Sequence, residues 1–280
     1  MTVCYYHNDM DGICSAAIVN LKYNGKVTLI PIQYGGELSI IEDEMIIVDF
    51  SFPPKIMAYI LERCNKLIWI DHHKSAKINN SVMWHCKNVL GYRDTKKSGA
   101  LLTWDWFFPC EKPPLIVEHV NDYDLWLKLM KGTDELHEGL SLVAEDPRNS
   151  LWLKLLVNDI DYMAYYNDLL EKGETLLAAK RKRVEFLVSN ADLVDFEGFR
   201  TMIINSPTDI SAIGEYIYKE KKIPIALIYN IKHGQVNVSL RSNIIDVGKI
   251  AEKYKGGGHK LASGFSSDLN FLAKLIQNKK

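Results

Sequence analysis

Four short apolar runs cover residues 3–6, 27–32, 45–50 and 67–70, and helical stretches stand between them at 12–23 and 54–65. Unbroken apolar runs of this length, several rich in β-branched side chains, suit strands buried on both faces rather than one. Alternating strands and helices build a parallel sheet wrapped by helices, an open α/β fold whose ligands sit outside the carboxyl ends of the strands. The helix over 54–65 opens on prolines, whose missing N–H costs nothing in a first turn. Residues 98–108 (SGALLTWDWFF) read as a further helix, stopped by Pro109.

The pattern from 150 to 190 is helical, with Leu151, Leu155, Leu156, Ile160, Met163, Leu169, Leu170 and Leu176 at three- to four-residue spacing. Lys180-Arg181-Lys182-Arg183 closes it and reads as a solvated helix end. A second alternation follows, with strands expected near 201–204, 225–229 and 235–240 and helices near 210–219, 245–254 and 268–277. The expected division is therefore a domain of residues 1–190, including a long helical connector, and a smaller α/β domain of residues 191–280. The connector's apolar face leaves homodimer formation open.

Charge separates along the chain although 34 Lys and Arg nearly balance 35 Asp and Glu. From Asp195 onward 13 basic residues meet 8 acidic ones, which leaves 21 and 27 for the remainder. An acidic part could hold metal and a basic part an anion. A hydrophobic share of 47% with 25% charged residues excludes a disordered chain. No apolar run approaches the roughly 18 residues of a membrane span, and the first residues lack the layout of a signal peptide. A cytoplasmic protein with no membrane partner is expected. The five cysteines form no CxxC pair, which argues against disulfides and zinc knuckles and makes them small buried hydrophobes.

Acidic and histidine residues gather where the apolar segments end. His7-Asn8-Asp9-Met10-Asp11-Gly12 follows the first run, Asp49 closes the third, and Asp71-His72-His73 closes the fourth. Asp122-Tyr123-Asp124 follows the apolar segment 115–120. One such aspartate could simply cap a helix, but capping does not explain a series of them interleaved with histidines at one sheet edge. Crowded carboxylates repel unless a cation lies among them, and this oxygen-and-nitrogen set suits Mn²⁺ or Mg²⁺. Two ions sharing an aspartate are the usual arrangement for in-line phosphoryl displacement. His85, His119, His137 and His233 lack such a setting and read as structural or solvent-facing.

The second domain carries Gly256-Gly257-Gly258-His259, followed by Lys260-Leu261-Ala262-Ser263-Gly264-Phe265. Three glycines let backbone N–H groups turn toward an anion. Arg241, closing the strand over 235–240, could add a bidentate fork for phosphate if strand and loop pack together.

These motifs together resemble the DHH phosphoesterase superfamily, named for the triplet Asp71-His72-His73. Its four motifs map in order onto His7 to Gly12, Val48-Asp49-Phe50-Ser51, the triplet, and Asp122. Ser239-Leu240-Arg241-Ser242 and the GGGHKLASGF stretch resemble the DHH-associated domain of the RecJ-type and nanoRNase branch, unlike family II pyrophosphatases, which are similar in the first domain only. The resemblance implies two Mn²⁺ ions, with Mg²⁺ or Co²⁺ as substitutes, held by His7, Asp9, Asp11, Asp49, His72 and Asp122. It further implies catalytic roles for His73 and Asp71, and substrate binding by Arg241, Gly256, Gly257, Gly258 and His259, completed by domain closure. His7 stands two residues before Asp9, where the nanoRNase and pyrophosphatase branches place a histidine four before the first aspartate. Asp124 is the alternative to Asp122 in the fourth motif. The implied substrate is a short oligonucleotide or nucleotide phosphate, cut in a nanoRNase-like manner. Rival readings are a nucleoside bisphosphate phosphatase, a cyclic or linear dinucleotide phosphodiesterase, a RecJ-like single-strand DNA exonuclease, and a non-catalytic nucleotide-binding protein.

Overall fold

A computed structural model describes residues 2–74 and 83–277. The chain divides into two compact units, Met1–Leu177 and Ala178–Lys280.

The first unit is built on strands β1 (Thr2–His7), β2 (Thr28–Ile32), β3 (Glu44–Val48), β4 (Lys66–Ile70) and β5 (Val89–Leu90). They pair in the order β2-β1-β3-β4-β5, all parallel. Helices α1 (Met10–Lys22), α2 (Pro54–Leu61), α3 (Gly99–Phe107) and α4 (Leu115–Asp124) accompany the sheet. Successive strand residues point to opposite faces, and each strand feeds two cores. Cys4, Tyr6, Ile46, Val48, Ile68 and Ile70 pack with α1, α3 and α4, while Val3, Tyr5, Met45, Ile47, Leu67 and Trp69 pack with Met57 and Ile60 of α2. Helices on both faces explain the unbroken apolar runs. Strand order reverses beside β1, so the crevice at the carboxyl ends of β1 and β3 is the natural ligand position.

Several boundaries differ from expectation for local reasons. Helix α2 ends at Leu61 rather than at 65, because Asn65 and Lys66 already donate their N–H groups to the carbonyl of Asp43 on the way into β4. The apolar segment 115–120 belongs to a helix: Ile116, Val117 and Val120 share one buried side, the spacing of a helix face. Helix α5 (Thr133–Val143) and strand β5 carry no strong signal in the sequence. The stretch 150–190 is helical but interrupted. α6 (Ser150–Leu156) stops before Asn158, whose φ of +51° is left-handed, and α7 (Tyr162–Ser189) then runs 28 residues. No described helix is long and apolar enough to cross a membrane. Cys4, Cys14 and Cys64 are buried as expected, whereas Cys86 and Cys110 are exposed.

The second unit contains β6 (Asp192–Phe196), β7 (Phe199–Asn205), α8 (Ile210–Lys219), β8 (Ile225–Lys232), β9 (Gln235–Arg241), α9 (Val247–Lys253), β10 (Gly257–Gly258), β11 (Ala262–Ser267) and α10 (Leu269–Gln277). Its sheet runs β10-β11-β9-β8-β7-β6, with β7 and β8 parallel and the other neighbours antiparallel. Ile213 and Ile217 of α8 join Val184 and Val188 of α7 on one face. Val247 and Ile250 of α9 join Leu272 and Leu275 of α10 on the other.

Candidate metal centre

His7 is the last residue of β1, and Asp9 caps α1 by accepting the Gly12 N–H at 3.0 Å. In the first turn of the helix, the buried Asp11 accepts the N–H groups of Gly99 and Ala100 at 2.6 and 2.8 Å. Its charge therefore lies at the amino terminus of α3, where the helix dipole favours an anion. Asp49 follows β3 with φ of +53° and is 1% exposed. A left-handed backbone at a residue other than glycine is strained and marks a position that the surroundings over-determine. Gly99 makes room for it, since a Cβ there would lie 2.5 Å from the Asp49 Cβ. Asp71, His72 and His73 follow β4, and Asp124 is the last residue of α4.

These side chains converge. Nδ1 of His7 lies 2.7 Å from Asp9 Oδ2 and 3.8 Å from Asp49 Oδ2. Nε2 of His72 lies 3.2 Å from Asp49 Oδ1, 3.6 Å from Asp124 Oδ2 and 3.8 Å from Asp11 Oδ2. Three overlapping triads result, His7-Asp9-Asp49, Asp49-His72-His73 and Asp11-His72-Asp124, each with donor atoms within 4.8 Å of one another. Both oxygens of Asp49 and Nε2 of His72 are buried without a hydrogen-bond partner among the described residues. Orphaned buried polar atoms are costly and rare. A divalent cation bound through oxygen and imidazole nitrogen satisfies all three, so the residues fit such an ion.

Electrostatics agree with that fit. Burial, then the charges of Asp11, Asp9, Asp124 and Asp71, push the Asp49 carboxyl well above the usual range. Burial with Asp11 and Asp9 raises Asp124 to about 8, and burial raises Asp11. Acids raised in this way take up protons on folding, so the stability that they contribute without metal is lost as pH rises toward about 8. The melting temperature in chelator should therefore fall between pH 5 and 8, and the upward shift produced by Mn²⁺ should grow over the same interval. A shift independent of pH, read by thermal melting at each pH, would contradict the shared site.

The fourth motif needs correction. Asp122 is buried, but its carboxylate does not join the cluster. It accepts the N–H groups of Leu129 and Met130 at 2.8 and 3.3 Å and the Thr133 hydroxyl at 2.8 Å. Burial opposes ionisation there, yet these donors outweigh it and keep the carboxyl below its ordinary value. Asp124 takes the cluster position instead. Both lie on helix α4, and residues two apart on a helix point to widely separated sides, so only one of them can face the cluster.

Asp71 and His73 form a pair beside the cluster. His73 Nδ1 is 2.8 Å from Asp71 Oδ1, which also accepts the His73 N–H at 2.9 Å. Burial lowers the His73 pKa, but the Asp71 bond and charge override it and raise the imidazole. With Nδ1 engaged, Nε2 is the nitrogen left for other chemistry. The other Asp71 oxygen accepts a close hydrogen bond from the Ser51 hydroxyl, and Arg93 Nη2 lies 3.3 Å from the same hydroxyl. Arg93 is stacked 3.3 Å from the Trp84 ring centroid and 4.4 Å from that of Trp69. This support from Arg93 and Ser51 was not foreseen, because a lone arginine between segments carries no local pattern.

In the second unit, β11 lies between β9 and β10. Arg241 pairs with Ala262, and Gly258 with Ser263. The arginine and the glycine run thus flank the start of one strand, as their packing together required. The glycines do not form a free N–H nest, however. Gly256 N–H donates to Ala251 and His259 N–H to Ala262, at 2.9 and 2.7 Å, and Gly257 and Gly258 are paired as strand. Arg241 is half-buried and runs along Gly214 of α8, where a Cβ would meet its Cβ at 2.5 Å.

Comparison with known proteins places this geometry. The DHHA1 domain model matches residues 201–278. Across 94% of the chain there is 25% identity, over 293 residues, to oligoribonuclease NrnB of Bacillus subtilis, covering 72% of that protein. These matches support the resemblance of the chain to the DHH phosphoesterase superfamily. It is also 27% identical, over 289 residues, to the uncharacterized protein R106 of Acanthamoeba polyphaga mimivirus. The matches span 66% of R106 and 72% of NrnB, about two thirds of the relatives' lengths. The fold is similar to that of the pGpG-specific phosphodiesterase PggH of Vibrio cholerae, with TM-score 0.58, 14% identity, and 99% and 96% of the two chains covered. RecJ of Thermus thermophilus in complex with Mn²⁺ matches with TM-score 0.58 and 14% identity over 99% of this chain and 51% of RecJ.

Proposed function

We propose that the chain is a Mn²⁺-dependent phosphodiesterase that hydrolyses oligonucleotides a few residues long. One observation carries the reading: both oxygens of Asp49 and Nε2 of His72 are buried without a hydrogen-bond partner among the described residues, and both side chains are shared between neighbouring donor triads. Similarity to the oligoribonuclease NrnB along 94% of the chain supports the substrate class.

Asp9, Asp11, Asp49, His72 and Asp124, with His7 beside them, are the residues that would hold the ions. Bound there, divalent ions would lower the pKa of water and offset the charge of the phosphodiester. His73 is the general acid of this scheme. Asp71 fixes its Nδ1 and stabilises the imidazolium, so Nε2 can give its proton to the departing ribose oxygen. Asp71 is thus a positioning residue, and Ser51 and Arg93 hold it in turn. Arg241, Gly256, Gly257, Gly258 and His259 of the second unit would bind a substrate phosphate, chiefly through the Arg241 guanidinium, since two of the N–H groups in the glycine stretch are already spent.

A substrate panel with Mn²⁺ tests the reading: dinucleotides, five-residue RNA and DNA, bisphosphate nucleotides, cyclic dinucleotides and pyrophosphate. Linear dinucleotides and short RNA should be turned over fastest. Preference for bisphosphate nucleotides or pyrophosphate would replace the reading with a phosphatase.

A further inference from the structure

Tyr34 stands just past the carboxyl end of β2, a strand that contributes no member of the metal cluster. Residues 33–36 form a tight turn closed by the Gly36 N–H to the Gln33 carbonyl at 2.8 Å, with Gly35 at φ of +87°. A left-handed third residue is what a type II turn requires, and glycine supplies it without strain. The turn is tied to the loop that carries His7 and Asp9. Gln33 Nε2 donates to the Asn8 carbonyl at 3.0 Å, and Asn8 N–H donates to the Ile32 carbonyl at 3.1 Å.

Held in this way, the Tyr34 ring lies 5.3 Å from the His7 ring, 5.2 Å from Phe50 and 6.1 Å from His73, the last edge-on. Three rings of the site region fix its orientation, yet 58% of the residue stays exposed. Here an aromatic residue held by three rings keeps more than half of its surface open at the edge of the candidate metal centre, near the imidazole assigned as general acid. Nucleobases stack on such surfaces without regard to sequence, because every base has a π-face.

We infer that Tyr34 is a stacking platform for the nucleobase attached to the phosphate at the metal cluster. It thereby selects nucleotides over phosphoesters that lack a base. The inference deepens the function proposed above and rests on it for the position of the phosphate.

Calorimetric binding of AMP and of ribose 5-phosphate, with Mn²⁺ present, tests it on the whole chain and on Tyr34→Ala, Tyr34→Leu and Tyr34→Phe. Wild-type protein should bind AMP about tenfold or more tighter than ribose 5-phosphate, the range that base stacking on one ring supplies. Tyr34→Ala and Tyr34→Leu should lose most of that ratio by weakening AMP alone, and Tyr34→Phe should keep it. Equal binding of the two ligands by wild-type protein would overturn the inference, as would equal weakening of both in Tyr34→Ala. Hydrolysis of the dinucleotide ApA by wild-type protein separates the two levels of argument. ApA cleaved with no Tyr34-dependent preference for AMP removes the stacking site and leaves the phosphodiesterase. ApA left intact, with that preference present, removes the phosphodiesterase and leaves the stacking site.

Discussion

Replacing Asp49 by asparagine should lower metal-dependent hydrolysis by more than about a hundredfold while the chain still folds. Residues that merely orient metal ligands cost about 10–100-fold when removed, and Asp49 belongs to two of the three triads. Asparagine is chosen because the backbone at Asp49 is left-handed, a conformation that asparagine tolerates better than most residues. It also removes a carboxyl whose ionisation is opposed by burial and by four neighbouring acids. The melting temperature in chelator should therefore hold or rise, while the stabilisation given by Mn²⁺ should largely vanish. Retention of a tenth of the wild-type rate would reject Asp49 as a shared ligand.

Asp122 and Asp124 should respond in opposite ways. Asp124→Asn should lower bound metal and turnover with little change in folding without metal, since its carboxylate faces Asp11 and His72 across the cluster. Asp122→Asn should act through the fold. Its carboxylate anchors Leu129, Met130 and Thr133, and Thr133 continues to His119 Nδ1 at 2.8 Å and on to the Tyr166 hydroxyl, 2.5 Å from Nε2. A buried network stripped of an acceptor loses about 1–3 kcal/mol, a shift that melting reads directly. Metal analysis and melting curves of both variants decide it. Metal loss in Asp122→Asn with unchanged stability would restore Asp122 as the ligand.

Most of the fold could be read from pattern alone because a parallel sheet covered on both faces writes itself as unbroken apolar runs. Strands β1 to β4 and helices α1, α3 and α8 follow that signal closely. The site was legible for the same reason: His7, Asp9, Asp11, Asp49, Asp71, His72 and His73 all lie at or just beyond the ends of β1, β3 and β4. Reading failed where the local signal was ambiguous. Residues 115–120, with Leu115, Ile116, Val117 and Val120 apolar, do not by themselves tell strand from helix, and taking the first position after them named Asp122 where the structure brings Asp124 into the cluster. The glycine run suggested an open loop, yet two of its residues pair as a strand with β11. Tyr34 and Arg93 matter through contacts with distant segments, which no local spacing encodes.

The short substrate proposed above rests on what the second unit offers. Single-strand binders that hold long substrates use grooves of about 4–16 nucleotides lined with stacking aromatics. Here Tyr254 stacks on Phe265 at 4.5 Å within the core, and Tyr216 and Tyr229 also pack against buried clusters. One arginine-centred anion site in the second unit and one metal centre in the first suit a chain of a few nucleotides. The most direct test of the account is kcat/KM, with Mn²⁺, for matched RNAs of three and twenty-four nucleotides. The account predicts a strong preference for the trinucleotide, and equal or faster turnover of the long RNA would contradict it.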